Sequence, residues 1–212
     1  DEVTFRRVRH VVTENGRVLL ASYRALARAI KEERAITPAA EWLVDNFHIV
    51  DEQLREIRDD LPADYYRQLP KLAEGYLEGY PRVVGLAWAY VAHTDSRFDT
   101  HLLTSFVSAY QLEQPLTIGE LWAIAITLRI VLVENLRRAA DSIASARAVR
   151  QEADRLADRM LGTGGRPIEP LDTLLREWDG VALSTTFSVQ LLQRLRDHDP
   201  EATPALTWLE AR

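Results

Sequence analysis

The chain has no cysteine and only two lysines, Lys31 and Lys71, among its 212 residues. The first absence excludes disulfides, thiol catalysis and cysteine-ligated zinc or iron–sulfur sites. The second leaves arginine as nearly the sole cation, which we read as compositional bias before function. Acidic residues outnumber basic ones, 32 to 26, giving a net charge of -6. That balance argues against nonspecific nucleic-acid binding, which depends on basic patches that displace counterions. Long apolar runs are also missing. The longest is Leu121 to Leu128, followed by Arg129 and then Ile130 to Val133. A membrane helix needs about 20 apolar residues with few charges, so no span is expected. The N-terminus lacks the pattern of a signal peptide.

Clean period-2 alternation is scarce, whereas helix-period spacing recurs along the chain. The expectation is therefore an all-α fold: an antiparallel helical bundle with one long helix at about 118–161 and a smaller C-terminal helical part. The length suits one domain or two small ones. A first amphipathic helix is predicted over Glu14 to Glu33, with Val18, Leu19, Tyr23, Leu26 and Ile30 on one side. Thr37-Pro38 opens a second, since Thr caps free backbone N–H groups and Pro suits the first helical position. Leu43, Phe47, Val50, Leu54, Ile57 and Leu61 follow at steps of 4, 3, 4, 3 and 4, one stripe that Pro62 ends. Residues 61–80 read as a long irregular connection with a short helical turn at Tyr65 to Gln68. Pro81 then opens a helix through Trp88 to His93, and Asp99 caps another from Thr100 to Glu113.

Thr117-Ile-Gly-Glu120 matches the capping box, in which Thr and Glu satisfy each other's backbone donors. No Pro or Gly interrupts the chain between Glu120 and Leu161. The first third of this long helix is apolar nearly all round and is expected to be buried. Its later part carries a thin stripe of mostly small residues, Ala139, Ile143, Ala146, Ala153, Leu156 and Met160. That part is expected to project or to pack against a single partner. Gly162-Thr-Gly-Gly165 and Pro167 suggest a division into a bundle domain, 1–161, and a linker with short C-terminal helices, 162–212, which can pack on the same bundle. Helices are expected over Pro170 to Trp178, from Thr185 to Asp197 and from Thr203. The chain begins at Asp1 and the last helical pattern still runs at Arg212. Both lead to the expectation of a piece cut from a longer protein.

Two groups of residues stand out as candidate sites. Glu41, Asp45, His48 and Glu52 fall at i, i+4, i+7 and i+11 on the second predicted helix and so share a face. Asp45-x-x-His48 resembles the Glu-x-x-His element of carboxylate-bridged metal bundles, but those need two such motifs. No second acid-x-x-His occurs, so Asp45, His48 and Glu52 are read as a polar interface, and no metal site is expected. The second group is aromatic. Tyr65, Tyr66, Tyr76, Tyr80, Trp88 and Tyr90 fall within 26 positions, next to Arg67 and Lys71. Flat rings with polar tips stack on sugars or anchor interfaces, and equally pin a loop to a core. Tyr65, Tyr66, Arg67, Tyr76, Tyr80 and Trp88 are the candidates for a sugar or domain contact. Catalytic signatures are wanting. There is no Gly-x-Ser-x-Gly and no phosphate-cradling glycine loop between a strand and a helix. Asp197-His-Asp199 stands at a helix end and reads as a helix stop. No catalytic residue and no cofactor is assigned.

Several longer words carry more information. They are PAAEWLVDNFHIVDEQLREIRDDLP at 38–62, YYRQLPKLA at 65–73, YPRVVGLAWAYVAHTDSR at 80–97, QPLTIGELWAIAITLRIVLVENLRR at 114–138 and TPALTWL at 203–209. In that order they resemble the N-terminal region of bacterial cyclic beta-1,2-glucan synthases, from about residue 14 to the end and least across 162–184. The resemblance implies a very large inner-membrane parent that builds a beta-1,2-glucan from UDP-glucose and cyclises it. It also implies that the catalytic acids lie in other domains, so none is carried onto a position here. The expected role is a non-catalytic accessory domain on the cytoplasmic face, with the glycosyltransferase domain of the same polypeptide as partner. The alternative is a module that holds the growing beta-1,2-glucan through the aromatic loop.

Overall fold

The computed structural model describes residues 2–32, 36–60, 65–163, 170–178, 180–198 and 203–210. Ten helices occupy them, and no strand is present among the described residues. They are α1 (Glu2–Lys31), α2 (Pro38–Asp45), α3 (Phe47–Asp59), α4 (Tyr65–Gln68), α5 (Arg82–His93), α6 (Thr100–Glu113), α7 (Ile118–Leu161), α8 (Leu171–Glu177), α9 (Thr185–His198) and α10 (Thr203–Glu210). The fold is all-α, with the one long helix expected. No helix of the described residues is long and apolar enough to cross a membrane. Leu61, Pro62, Gly164, Gly165, Pro167, Asp199 and Arg212, on which several readings of helix ends rested, lie outside the described residues. The chain divides into two compact units, residues 1–141 and 142–212.

In the first unit, α1 packs against α2, α3 and α4. Its buried face is Val8, Val12, Leu19, Leu26 and Ala29. The helix starts at Glu2, twelve residues before the expected Glu14. Val8, Val11, Val12 and Thr13 are β-branched and have weak helix propensity, but burial of Val8 and Val12 overrides it. The apolar stripe of the second predicted helix is intact: Leu43, Phe47, Val50, Leu54 and Ile57 are all buried. Phe47 stacks on Tyr23 with ring centroids 4.4 Å apart. The helix itself is not continuous. It breaks at Asn46, whose backbone leaves the helical region at φ -103 and ψ 9. Asn46 Nδ2 donates to the Trp42 carbonyl at 2.8 Å, which also accepts from the Asn46 backbone N–H at 3.0 Å.

The remaining helices of this unit form a second packed group. Ala87, Tyr90 and Val91 of α5 meet Leu128 and Val131 of α7, and Leu86 meets Val107 of α6 and Leu116. Tyr90 and Phe106 meet edge to face at 5.8 Å. Caps form where the residues predict them. Asp99 Oδ1 accepts from the Leu102 N–H at 2.8 Å, and Thr37 Oγ1 from Ala40 N–H at 3.3 Å.

The start of α7 departs from expectation. Ala123, Thr127, Leu128, Ile130, Val131 and Val133 are buried, but Trp122 is 77% exposed and Ile118 70% exposed. Ile118, Leu121, Trp122, Ala125 and Arg129 are exposed at steps that keep them on one side of the helix. The helix is packed on one side only, so apolar residues all round it are not all buried.

The second unit has its own core. Ala153, Leu156 and Ala157 of α7 pack with Leu174 of α8, Phe187, Leu191 and Leu195 of α9, and Ala205 and Leu209 of α10. Trp178 lies against Phe187 at 4.7 Å. The small-residue stripe expected to project or to meet one partner is thus covered, over its Ala153–Met160 part, by three helices. Alanine lets helix axes approach closely. Arg194 Nη2 donates to Asp158 at 2.7 Å and Gln190 to Asp154 at 2.8 Å, tying α9 to α7 at the edge of this core.

Candidate functional site

The irregular connection after α4 is a closed strap. Lys71 and Pro81 form an isolated antiparallel bridge. Leu72 N–H donates to the Tyr80 carbonyl and Gly79 N–H to the Leu72 carbonyl, both at 2.9 Å, and Arg82 N–H reaches the Pro70 carbonyl at 2.9 Å. The turn at its tip needs left-handed backbone, which Gly75 (φ 89) and Gly79 (φ 79) supply without a side-chain clash. Chain geometry therefore sets where Tyr76 and Tyr80 stand.

The six aromatic and basic candidates separate into two groups. Tyr66 is fully buried and shares a 2.7 Å hydrogen bond with Thr127, a buried hydroxyl of α7. Burial pushes its phenol up to about 12. Tyr65 meets Tyr66 edge to face at 6.1 Å and donates to the Gly119 carbonyl. Burial raises its phenol as well. These two tyrosines fix α4 to the start of α7, and Arg67 is exposed on the same turn. Tyr76, Tyr80 and Trp88 instead line a pocket of about 160 Å³. Its floor is aliphatic: Val8 and Val11 of α1, Leu77 of the strap, Val84 of α5, and Ile130 and Val131 of α7. Tyr76 is 86% exposed at the mouth.

Glu134 and Arg138 of α7 complete the pocket. Arg138 Nε donates to Glu134 Oε1 at 2.9 Å, and its guanidinium carbon lies 4.6 Å from the centre of the Trp88 ring. Arg137 donates to both Glu134 oxygens, at 3.1 and 2.9 Å, and also pairs with Asp141. Burial pushes the Glu134 carboxyl up, but the Arg137 and Arg138 guanidinium groups outweigh it and hold the group below the usual carboxylate range. Hydrogen bonding to Glu134, then to Tyr76, holds Arg138 above its ordinary value. The result is an apolar well with an aromatic rim and a charge-compensated polar edge. The Glu134–Arg137–Arg138 cluster is visible in the sequence as helical i, i+3 and i+4 pairs. Its place beside Trp88 is a product of the tertiary fold.

The polar-face residues do not assemble in this way. Asp45 ends α2, whereas His48 and Glu52 sit on α3 beyond the Asn46 break, and all three are exposed, as is Glu41. Among the described residues, no group of three or more His, Cys, Asp or Glu gathers where a metal could bind.

Two further features escape sequence reading. Glu120 is fully buried and does more than complete the capping box. It accepts from Thr117 N–H at 2.9 Å, while Arg82 donates to its two oxygens at 2.5 and 2.8 Å and to the Pro115 carbonyl at 2.7 Å. Burial raises the Glu120 carboxyl, and the bonds from Arg82 and Thr117 more than reverse this. This satisfied ion pair joins the start of α5 to the start of α7. The second feature is a groove of about 630 Å³ between α6 and α7, lined by Phe98, Leu103, Val107, Leu121, Ile124, Leu128 and Leu132. Leu102 and Leu112 of α6 and Ile118 and Trp122 of α7 are also exposed.

No family model matches the chain. Among curated proteins, it is similar to the cyclic beta-(1,2)-glucan synthase NdvB of Rhizobium meliloti (strain 1021), 42% identical over 206 residues. The match takes in 97% of this chain and 7% of that protein. Over almost its whole length, then, the chain is homologous to one short segment of a cyclic beta-(1,2)-glucan synthase.

Proposed function

We propose that the chain is a non-catalytic accessory domain of a cyclic beta-(1,2)-glucan synthase. In this reading it docks on the glycosyltransferase part of the same polypeptide, at the cytoplasmic face of the bacterial inner membrane, and supports synthesis from UDP-glucose. The observation that carries it is the α6–α7 groove, where Phe98 and Leu121 are exposed in the lining and Ile118 and Trp122 are exposed on the adjoining turns of α7. Large apolar side chains left exposed next to a groove are the pattern of an interaction site. The polar edge of the pocket also speaks for a non-catalytic role. Glu134 is held ionised by two guanidinium groups, whereas a general acid or base needs a pKa near the working pH.

The test is the full-length synthase carrying Ile118→Asp and Trp122→Asp together, with UDP-glucose-dependent glucan synthesis measured in membranes. Docking predicts a loss of synthesis or altered chain length with the enzyme still present in the membrane. Unchanged synthesis, chain length and assembly would remove the proposal. A second reading, a module that holds the growing glucan, is favoured by one observation: Tyr76, Tyr80 and Trp88 converge on a single pocket.

A further inference from the structure

We infer that the pocket between the strap, α5 and α7 takes one uncharged pyranose unit of a saccharide, and that Arg138 is the movable cover of its stacking face. The inference rests on the second reading above and assigns its ligand class and its moving part.

Size limits the ligand first. About 160 Å³ is well under the roughly 300–1,000 Å³ of pockets that enclose drug-sized ligands. The well itself has room for about one ring. Charge limits it next. The Glu134 and Asp141 carboxylates are matched by the Arg137 and Arg138 guanidinium groups. The edge therefore offers no net charge to a phosphate, a carboxylate or an ammonium group. Chemistry narrows it further. An aliphatic floor and aromatic rim reward an apolar face. The phenols of Tyr76 and Tyr80, the Glu134 carboxylate and the Arg138 guanidinium would lose solvent under a purely aliphatic ligand, and unpaired buried polar groups are costly. A pyranose has both characters: a face of C–H groups and a rim of hydroxyls. A carboxylate can accept from one hydroxyl while the guanidinium beside it donates to the next.

Arg138 occupies the place that the ring would take. Its guanidinium covers the Trp88 face and is held there by Glu134. Glu134 keeps two bonds from Arg137 when Arg138 swings aside, so the carboxylate is not orphaned by the movement. Arg138 is about half exposed and bonded to Glu134 and Tyr76, and on moving aside it can turn its donors onto the ligand's hydroxyls. Tyr76, held at the mouth by the glycine turn, closes over the other side.

The experiment is a titration of the 212-residue chain with a beta-1,2-linked glucotriose, followed by NMR at the Trp88 indole N–H and the amides of residues 75–80. Saturable shifts there are expected at millimolar ligand. Tyr76→Ala, which removes an exposed ring and leaves the core intact, should weaken binding several-fold. Trp88→Ala should weaken it by about tenfold, the scale of a lost ring-stacking contact, while Trp88→Phe should retain most of it. Arg138→Gln removes the cover and should shift the free-state Trp88 indole signal toward its ligand-bound position, as an uncovered ring requires; an unmoved indole signal would overturn the role of Arg138 as cover. Binding that is unaffected by Trp88→Ala and Tyr76→Ala would overturn this inference while leaving saccharide binding elsewhere on the chain intact. No shift anywhere with the glucotriose would remove both the inference and the glucan-holding reading. Tighter binding of UDP than of the neutral saccharide would overturn the assignment of an uncharged ligand.

Discussion

Tyr66 and Tyr76 are ten residues apart in one aromatic-rich segment, yet they have opposite roles. Tyr66, on the short helix α4, is fully buried and bonded to Thr127. Tyr76, at the tip of the strap, stands almost wholly in solvent at the mouth of a pocket. The difference lies in the backbone between them. The strap closes on itself through Leu72, Gly79 and Tyr80, and its glycine turn carries Tyr76 away from the core. The same residue type thus serves packing in one place and is available for recognition in the other. Aromatic density alone does not separate the two.

Mutation can break this contrast. Its largest effect should come from Tyr66→Ala, which empties a fully buried ring site. A loss of about 3–5 kcal/mol in urea denaturation is expected for a large buried side chain, against a change within about 0.5 kcal/mol for Tyr76→Ala. Comparable losses would show that the strap is part of the core. Next is Arg82→Ala, which leaves the buried Glu120 carboxylate without its guanidinium partner. Breaking a buried pair costs about 3 kcal/mol or more, and a shift in the denaturation midpoint reads it directly.

The same pair predicts a pH dependence. The folded Glu120 carboxyl lies below its ordinary value, so its contribution is present above the unfolded carboxylate range, about pH 4.3. It is lost as the pH falls through the lower folded value. Denaturation midpoints measured from pH 7 downward should therefore decline less steeply in Glu120→Gln than in the parent chain. Equal slopes would contradict the assignment. Tyr66→Phe is the smallest change in the core region. It keeps the ring, removes its bond to Thr127 and should cost about 1 kcal/mol.

Much of the fold is legible in the residues, because helix periodicity and caps are local. The stripe from Leu43 to Ile57, the Asp99 cap and the Thr117–Glu120 box need only neighbours in sequence. Three features do not follow from neighbours. Asn46 breaks a helix whose apolar pattern runs straight through it, since the break lies in one residue's backbone angles and leaves the apolar spacing untouched. The valine-rich start of α1 is helical because Val8 and Val12 find a core. The early turns of α7 leave Ile118 and Trp122 exposed because packing reaches only one side, although composition favours burial all round.

The candidate site shows the same limit. Tyr76, Tyr80 and Trp88 can be named from their type, and Glu134 with Arg138 from helical spacing. Only tertiary structure brings them to one pocket, over a floor that includes Val8 and Val11 from the far end of the chain.

Hydroxyl-radical footprinting of the full-length synthase beside the isolated 212-residue chain tests the docking account most directly, with Trp122 as the reporter. The account predicts strong oxidation of Trp122 in the isolated chain and clear protection in the full enzyme. Equal reactivity of Trp122 in both would contradict it.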